Sequence, residues 1–200
     1  MKIAFDMSSI MWTCLSVGKD QEGFNAVTED GKDYWVNTQA YGYENAVNSI
    51  ITSLKKFNLT PKDAILVFEG QSSKVMRGMI DKEYKAGRGK RPNEAYVEFN
   101  NLKEQLQSVF FKLGALSLTQ DYVEGDDILG WLAQHTEEDI VIRSGDGDLA
   151  VLSGVNAHGA TVHTSIGDRD LDENPFGPFE NRWISVYKAL VGDSSDNIKG

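Results

Sequence analysis

Acidic side chains stand where hydrophobic segments of this chain end. Asp6 follows the apolar run KIAF, and Glu69 follows AILVF. The other acids come in three short clusters, which are Glu124, Asp126 and Asp127 in VEGDDILG, Asp146 and Asp148 in VIRSGDGDL, and Asp193 and Asp196 in VGDSSDN. Because the carboxyl ends of parallel strands meet at one crevice, these nine carboxylates are predicted to share a pocket. Such close like charges need cations between them, so the pattern indicates a divalent-metal site.

Each acidic cluster has a simpler explanation when it is taken alone. Acids are favoured in the first turn of a helix, so capping would account for much of the EGDD segment at 124–127. The DGD segment at 146–148 is also typical of a turn, and GDSSDN of an Asx turn or a cap. Capping rarely explains five separate segments at once, so the combination favours the metal site. Ligands that are all oxygen favour Mg²⁺ or Mn²⁺ over zinc.

A basic stretch interrupts an otherwise acidic chain. The formal net charge is −10 over 200 residues. Residues 71–92 carry seven basic and two acidic side chains, whereas the remainder carries 13 basic and 28 acidic ones, a net charge of −15. A basic stripe beside a cation-filled pocket is typical of a surface that tracks a phosphate backbone. A solvated charged helix is the alternative explanation.

The hydrophobic periodicity predicts strands that alternate with helices. The predicted strands are KIAFD, AILVFEG, ALSLTQ, DIVIRSGD and ATVHTS, with a hairpin around EDGK. The predicted helices are SSIMWTCLSVG, YENAVNSIITSLKKFN, NEAYVEFNNLKEQLQSVFFKLG, DDILGWLAQHT and NRWISVYKALVG, with one or two short helices in the basic stretch. This alternation predicts an α/β fold with a mostly parallel central sheet flanked by helices. Trp12, Trp131 and Trp183 lie in helical patterns that are typical of core positions.

The composition excludes some classes of protein. The sequence has no run of about 18 apolar residues, so no transmembrane helix is predicted. Asp6 interrupts the apolar start, so a signal peptide is not expected. Cys14 is the only cysteine, which excludes a disulfide within the chain and favours a reducing, cytoplasmic setting, in the host if the chain is phage-encoded.

The order of these motifs resembles the 5′-nuclease superfamily of flap endonucleases and 5′–3′ exonucleases, in its short bacterial or phage form. The family pattern runs from an acid after each of the first two strands, through a basic gateway, to Glu-x-Asp-Asp, Asp-x-Asp and Gly-Asp-x-x-Asp-Asn. The chain matches it in order with Asp6, Glu69, Arg77 and Tyr84-Lys85-x-x-Arg88, EGDD at 124–127, DGD at 146–148 and GDSSDNIKG at 192–200. It departs from the family at Glu69, where Asp is more usual. For a further family acid near the end of the first helix it offers only Asp20, Asp30 and Asp33.

The resemblance implies a domain organisation. A single PIN-like 5′-nuclease core is expected over residues 1–200, with a basic helical gateway or arch inserted at residues 71–93. Residues 192–200 resemble the start of a helix–hairpin–helix element that grips duplex DNA. Because relatives continue beyond this point, we expect the element to be truncated here.

The resemblance also implies an activity and its residues. It implies a metal-dependent 5′→3′ exonuclease or flap endonuclease, which hydrolyses DNA near a 5′ end by a two-metal-ion mechanism and leaves 5′-phosphates. The implied ligands of two Mg²⁺ or Mn²⁺ ions are Asp6, Glu69, Glu124, Asp126, Asp127, Asp146, Asp148, Asp193 and Asp196. Lys85 and Arg88 would act in catalysis with Asp6 and Asp126. The residues implied to contact nucleic acid are Lys74, Arg77, Lys82, Tyr84, Lys85, Arg88, Lys90 and Arg91.

The partners and two alternative functions complete these expectations. A monomer is expected to act on DNA 5′ ends, flaps or tailed duplexes, with no membrane partner, and an RNA–DNA hybrid stays open as a substrate. One alternative is a non-catalytic nucleic-acid-binding module of the same fold, which the intact set of acids disfavours. The other is a metal-dependent phosphatase, which would not need the basic stretch at 71–92. The residues do not distinguish exonuclease from flap preference.

Overall fold

Helices cover both faces of a six-stranded sheet in this structure, which is a computed structural model. It describes residues 1–200 except 19–21, 74, 81, 85–88, 194–197 and 200, and except the side chains at 76, 198 and 199. In chain order, the described strands are β1 (Lys2–Asp6), β2 (Phe24–Val27), β3 (Asp33–Val36), β4 (Ala64–Val67), β5 (Leu116–Leu118), β6 (Ile140–Ser144), β7 (Gly154–Val155), β8 (Thr161–Ile166), β9 (Gly192–Asp193) and β10 (Ile198–Lys199). The described α-helices are α1 (Met7–Ser16), α2 (Gln39–Lys56), α3 (Val75–Ile80), α4 (Asn93–Lys112), α5 (Gly125–His135) and α6 (Ile184–Val191). Short 3₁₀ helices are found at Pro61–Asp63, Gly147–Leu152 and Asn181–Trp183.

The central sheet has the order β5-β4-β1-β6-β8-β7. β1 pairs in parallel with both β4 and β6, and the pairs β4–β5 and β6–β8 are also parallel. Only the edge strand β7 is antiparallel to its neighbour among the described strands of this sheet. The prediction of a mostly parallel sheet is confirmed. The parallel order also brings the carboxyl ends of β1, β4 and β6 to the same edge, and this arrangement positions the acids that follow them.

The core lies on both faces of the sheet. Strand β1 alternates, since Ile3 and Phe5 join one buried cluster and Ala4 joins the other. The first cluster packs against α1, α2 and α4, through residues such as Leu102 and Phe110. The second packs against α5, the 3₁₀ helix at Gly147–Leu152 and the start of α6. Two packed layers therefore fix the sheet edge where the acids stand.

A small third cluster joins a hairpin to the helical layer. β2 and β3 form an antiparallel pair around the predicted EDGK turn, and Ala26 and Val36 pack with Ala95, Trp12 and Tyr34. The hairpin is tied to α1 by Asn37, whose amide Nδ2 donates to the carbonyls of Cys14 at 2.9 Å and Val17 at 3.0 Å. This hairpin is therefore fixed against α1, the helix that follows Asp6.

The predicted elements agree with the structure, but two aromatic positions do not. Trp12 packs as predicted, whereas Trp131 is 59% exposed and Trp183 is 51% exposed, so their prediction as core residues is wrong. Helical periodicity identifies a face, but no described element covers the part of α5 that carries Trp131. Among the described residues, no helix has the length and apolar character needed to cross a membrane.

Candidate metal centre and nucleic-acid interface

A polar cleft of about 450 Å³ opens at the carboxyl edge of the central strands. Four predicted ligands line it: Asp6 at the end of β1, Glu69 just after β4, Asp126 in the first turn of α5 and Asp146 just after β6. We call these four residues the cleft acids. Glycines, the hydroxyls of α1, Trp12 and Arg91 complete the lining. The parallel topology brings these acids together although 140 residues separate the first from the last.

Asp6 is the most buried of the cleft acids and is 5% exposed. Its carboxylate caps α1 by accepting a hydrogen bond from the Ser9 backbone N–H at 3.1 Å, and it accepts a second from Ser144 Oγ at 2.6 Å. Burial raises the pKa of the Asp6 carboxyl, and the nearby charge of Asp146 acts in the same direction, while the hydrogen bonds from Ser144 and Ser9 oppose both. A bound cation would therefore stabilise the ionised form of this group.

Two serines that the sequence analysis did not select connect the cleft acids. Ser144 Oγ accepts from the Asp146 backbone N–H at 2.9 Å while it donates to Asp6. Ser9 Oγ accepts from the Gly145 backbone N–H at 2.9 Å. A side chain at Gly145 would meet this hydroxyl, because an added Cβ would lie 2.5 Å from Ser9 Oγ. The signal that could have found Ser9 is its place three residues after Asp6, an acid that stands just before the first predicted helix.

Glu124 and Asp127 contact the basic segment instead of lining the cleft. Glu124 is 1% exposed, and its Oε2 lies 3.1 Å from Arg77 Nε and accepts a hydrogen bond from Tyr84 Oη at 3.0 Å. Asp127 is 47% exposed and pairs with the Arg77 guanidinium at 2.6 Å. α3 and the residues after it therefore reach the start of α5, and Arg77 supplies positive charge to two predicted ligands.

Asp148 and Asp193 share the ammonium group of Lys188. Lys188 extends from α6 and forms ion pairs with both carboxylates, which we call the bridged acids. Burial raises the pKa of the Asp148 carboxyl, and the hydrogen bond from Lys188 opposes this shift. Together with Asp146 and Tyr187, these groups line a second space of about 500 Å³ next to the cleft. The sequence analysis missed Lys188, although a basic residue near a helix C-terminus is a recognisable pattern.

The acids as placed do not form a ready-made ion site. Within the described residues, no group of three or more Asp, Glu, His or Cys side chains is arranged to hold a metal ion. The donor chemistry nevertheless fits hard divalent cations, because the lining carboxylates offer oxygen atoms from four separate elements. At Asp148 and Asp193, the protein itself supplies the positive charge through Lys188.

The basic residues that the structure describes differ in their contacts. Lys82 is exposed, and Lys90 pairs with Glu29 of the hairpin at 3.1 Å. Arg91 lines the cleft, with its guanidinium 4.0 Å from the centre of the Trp12 ring and its Nε donating to Tyr34 Oη at 3.1 Å.

Several predicted residues cannot be placed. Lys74, Lys85, Arg88 and Asp196 lie outside the described residues, so their roles stay predictions. Asp20, a candidate for the additional acid of the family, also lies outside the described residues. Asp30 and Asp33 are exposed residues of the hairpin, and neither is among the residues that line the cleft.

Residues 24–173 match the family model described as the 5′-3′ exonuclease, N-terminal resolvase-like domain. A 5′-3′ exonuclease of Buchnera aphidicola subsp. Schizaphis graminum is 32% identical over 165 residues, which are 80% of this chain and 54% of that protein. DNA polymerase I of Chloroflexus aurantiacus is 26% identical over 187 residues, which are 88% of this chain and 19% of the polymerase. The chain thus spans about half of the exonuclease and about a fifth of the polymerase.

Solved structures agree on the fold. A bacteriophage T5 5′-exonuclease with bound divalent zinc ions aligns with a TM-score of 0.61 and 18% identity, over 100% of this chain and 69% of that one. A T5 flap endonuclease in complex with DNA and metal ions aligns with a TM-score of 0.56 and 18% identity, over 99% and 68% of the two chains. These likenesses show a PIN-like arrangement of sheet and helices. By its fold and its family match, this chain belongs to the 5′–3′ exonuclease N-terminal resolvase-like domain family of the 5′-nuclease superfamily.

Proposed function

We propose that this chain is the catalytic core of a divalent-metal-dependent 5′ nuclease. It would hydrolyse DNA phosphodiesters near a 5′ end, as a 5′→3′ exonuclease or flap endonuclease, and leave 5′-phosphates. The observation that carries the proposal is the convergence of Asp6, Glu69, Asp126 and Asp146 on one cleft at the carboxyl ends of parallel strands. The family match and the relative named 5′-3′ exonuclease support the same activity.

Mg²⁺ or Mn²⁺, at two neighbouring positions, is the cofactor that we propose. When bound, these ions would activate a water molecule and stabilise the charge on the phosphate and the leaving oxygen. Asp6, Glu69, Glu124 and Asp126 would be the inner ligands, with Asp146 and Asp148 beside them and Asp127, Asp193 and Asp196 in support. Glu124 would have to exchange its contacts with Arg77 and Tyr84 for an ion. Ser144 and Ser9 would orient the Asp6 carboxylate through their hydrogen bonds to it. Lys188 would keep Asp148 and Asp193 together.

The gateway segment at 71–93 would guide the substrate strand. Lys85 and Arg88 would offset charge at the scissile phosphate, and Lys74, Arg77, Lys82, Tyr84, Lys90 and Arg91 would contact the strand. DNA is the proposed substrate, because the T5 flap endonuclease of similar fold was solved with DNA and metal ions. We also propose that RNA–DNA hybrids are substrates and that the core, residues 1–200, acts as a monomer. The net charge of +5 in residues 71–92 favours a nuclease over a phosphatase that acts on small substrates.

Cleavage of three end-labelled or circular substrates tests this proposal. A blunt duplex, a 5′-flap duplex and a closed circular single strand are incubated with Mg²⁺, with Mn²⁺ and with excess chelator. We expect metal-dependent cleavage of the substrates that have a 5′ end, with 5′-phosphate on the products, and no cleavage of the circle. Full activity in chelator, or hydrolysis restricted to small phosphomonoesters, would refute the proposal.

A further inference from the structure

Arg91 occupies a different position from the other basic residues of the gateway segment. It is the one basic side chain that lines the acidic cleft in the part of the chain that the structure describes. Arg77 is engaged by Glu124 and Asp127, and Lys90 by Glu29. Arg91 therefore presents its charge directly to the space where the cleft acids meet.

Its contacts fix the orientation of the guanidinium group. The group lies over Trp12 at 4.0 Å, and its Nε donates to Tyr34 Oη at 3.1 Å. Trp12 is itself held, since it stacks on Phe99 with ring centres 4.4 Å apart and meets Tyr96 edge-on at 5.3 Å. A side chain that is already ordered loses less entropy when it binds an anion.

The backbone on both sides of these contacts is also restrained. Tyr34 Oη lies 2.7 Å from Ser16 Oγ, which joins the hairpin to the end of α1. Pro92 follows Arg91 directly and stands at the N-terminal cap of α4 with φ of −62°. The ring of this proline restricts the backbone conformation of Arg91, and Trp12 and Tyr34 hold its side chain. Arg91 therefore has less freedom than a lysine that contacts a strand through a flexible side chain.

The charge of Arg91 has no carboxylate partner among the described residues, although four acids line the same cleft. Its guanidinium instead lies over the Trp12 ring. Its terminal Nη groups remain as donors, and their planar fork matches two oxygen atoms of a phosphate. If Arg91 served only to shield the Trp12 ring from water, the stacking would be explained. That role, however, would not require Arg91 to line the cleft.

We propose that Arg91, held between Trp12 and Tyr34, binds one phosphate group of the substrate strand and so positions that strand against the cleft acids. The inference rests on the proposed nuclease function. The inference goes beyond that function by assigning a fixed phosphate site to Arg91. A residue that only follows the strand would need no more than a mobile positive charge. The phosphate belongs either to the backbone or to the 5′ terminus of the strand.

Binding measurements without cleavage test the inference. The affinity for a 5′-tailed duplex is measured by fluorescence anisotropy in chelator over a series of salt concentrations. The variants are Arg91→Ala, Arg91→Lys and Tyr34→Phe. Arg182→Ala is the matched control, because Arg182 also lies over a tryptophan and pairs with Glu180 but does not line the cleft.

We expect Arg91→Ala to weaken binding about tenfold and to lower the salt slope by about 0.7, the contribution of one contact to a single-stranded phosphate. Arg91→Lys should keep the slope but bind about threefold more weakly, because lysine lacks the planar fork. Tyr34→Phe should show a similar threefold loss, and Arg182→Ala should stay within twofold of wild type. Equal affinities for Arg91→Ala and Arg182→Ala would overturn the inference.

Two further comparisons separate the outcomes. If Arg91→Ala unfolds in a thermal scan, the Arg91→Lys and Tyr34→Phe variants decide, and wild-type affinity in both would overturn the inference. A tail with a 5′-hydroxyl distinguishes the two sources of phosphate, since an effect of Arg91→Ala that disappears there indicates the terminal group, and an effect that persists indicates the backbone. A wild-type protein that binds DNA without cleaving it would refute the nuclease proposal and leave the Arg91 result standing.

Discussion

The cleft acids and the bridged acids are carboxylates that lie in neighbouring spaces and differ in the contacts seen at Asp6 and Asp146 on one side and at Asp148 and Asp193 on the other. Asp6, Glu69, Asp126 and Asp146 line a polar cleft, where Asp6 and Asp146 accept hydrogen bonds. Asp148 and Asp193 instead share the ammonium group of Lys188. Asp146 lines both spaces and so connects the two groups.

The difference teaches how side chains of the protein itself can offset the charge of neighbouring carboxylates. Like charges at short distance require positive charge nearby, and the protein supplies it from Lys188 at one group and from Arg77 at Glu124 and Asp127. At Asp6 and Asp146, a serine hydroxyl and backbone N–H groups provide hydrogen bonds, which stabilise a carboxylate less than a full charge does. We infer that Asp6 and Asp146 depend more on an added cation than the bridged acids do.

The largest expected effect is at the cleft acids. Asp146→Asn should lower the single-turnover rate with Mg²⁺ by at least about 100-fold, because a neutral amide holds the cations that stabilise the transition state less well than a carboxylate does. Asn can still accept the hydrogen bond from the Asp148 N–H, so the fold should persist. The exposed Asp170→Asn is the matched control and should keep the wild-type rate. A rate for Asp146→Asn within threefold of wild type would remove the cleft acids from the chemistry.

The next effect concerns the bridge. Lys188→Met should lower the free energy of unfolding in chelator by about 2 kcal/mol, because Asp148 and Asp193 lose their shared cation. Mg²⁺ should restore more stability to this variant than it adds to wild type, since a metal can replace the ammonium group. Urea unfolding with and without Mg²⁺ measures both quantities, and the exposed Lys112→Met serves as the control. If Mg²⁺ stabilises variant and wild type equally, the two groups of acids do not differ as we infer.

A smaller effect is expected at the contact between Arg77 and Glu124. Tyr84→Phe removes the hydroxyl that donates to Glu124 and accepts from Arg77. The loss of this hydrogen bond should lower the free energy of unfolding by about 1 kcal/mol. DNA affinity should stay unchanged if the ring, and not the hydroxyl, contacts a base. Urea unfolding and anisotropy on the same variant separate these roles, and unchanged stability would contradict the observed contact.

The last measurement changes no residue and checks that α1 keeps its packing in the other variants. Burial raises the pKa of the Cys14 thiol to about 11. Its ordinary value is 9.0, so at pH 8 the folded protein should alkylate about 100-fold more slowly than the urea-unfolded chain. Because the pKa of the Cys14 thiol is higher in the folded protein, its ionisation also affects the free energy of unfolding. This free energy keeps its full value below pH 9 and decreases as the pH rises towards 11. A variant that alkylates rapidly has lost its fold, and its kinetics say nothing about the cleft.

The fold could be predicted from the sequence because its signals are local and repeated. Apolar strands alternate with periodic helices, and the parallel order of β1, β4 and β6 follows from that alternation. The same topology explains why the four cleft acids could be grouped from sequence alone. The exposure of Trp131 could not be predicted, because periodicity does not show which helix face lacks a neighbour.

The ion pairs at the acidic residues could not be predicted from the sequence pattern. Lys188 meets Asp148 across 40 residues, and Arg77 meets Asp127 across 50, so no local spacing predicts either pair. The position of Arg91 over Trp12 likewise depends on how the hairpin and α4 pack beside α1. Long-range contacts of this kind follow from tertiary packing, and a single sequence without its fold does not show them.

Binding of Mn²⁺ tests the central claim most directly, because it reports on the acids without any substrate. Electron paramagnetic resonance of free Mn²⁺ gives the affinity of wild type, Asp146→Asn and the exposed control Asp170→Asn in one titration series. We predict that wild type binds Mn²⁺, that Asp146→Asn loses at least about tenfold in affinity at the tighter site, and that Asp170→Asn stays within about threefold of wild type. No binding by wild type, or an equal loss in both variants, would contradict the claim that the cleft acids form the metal centre.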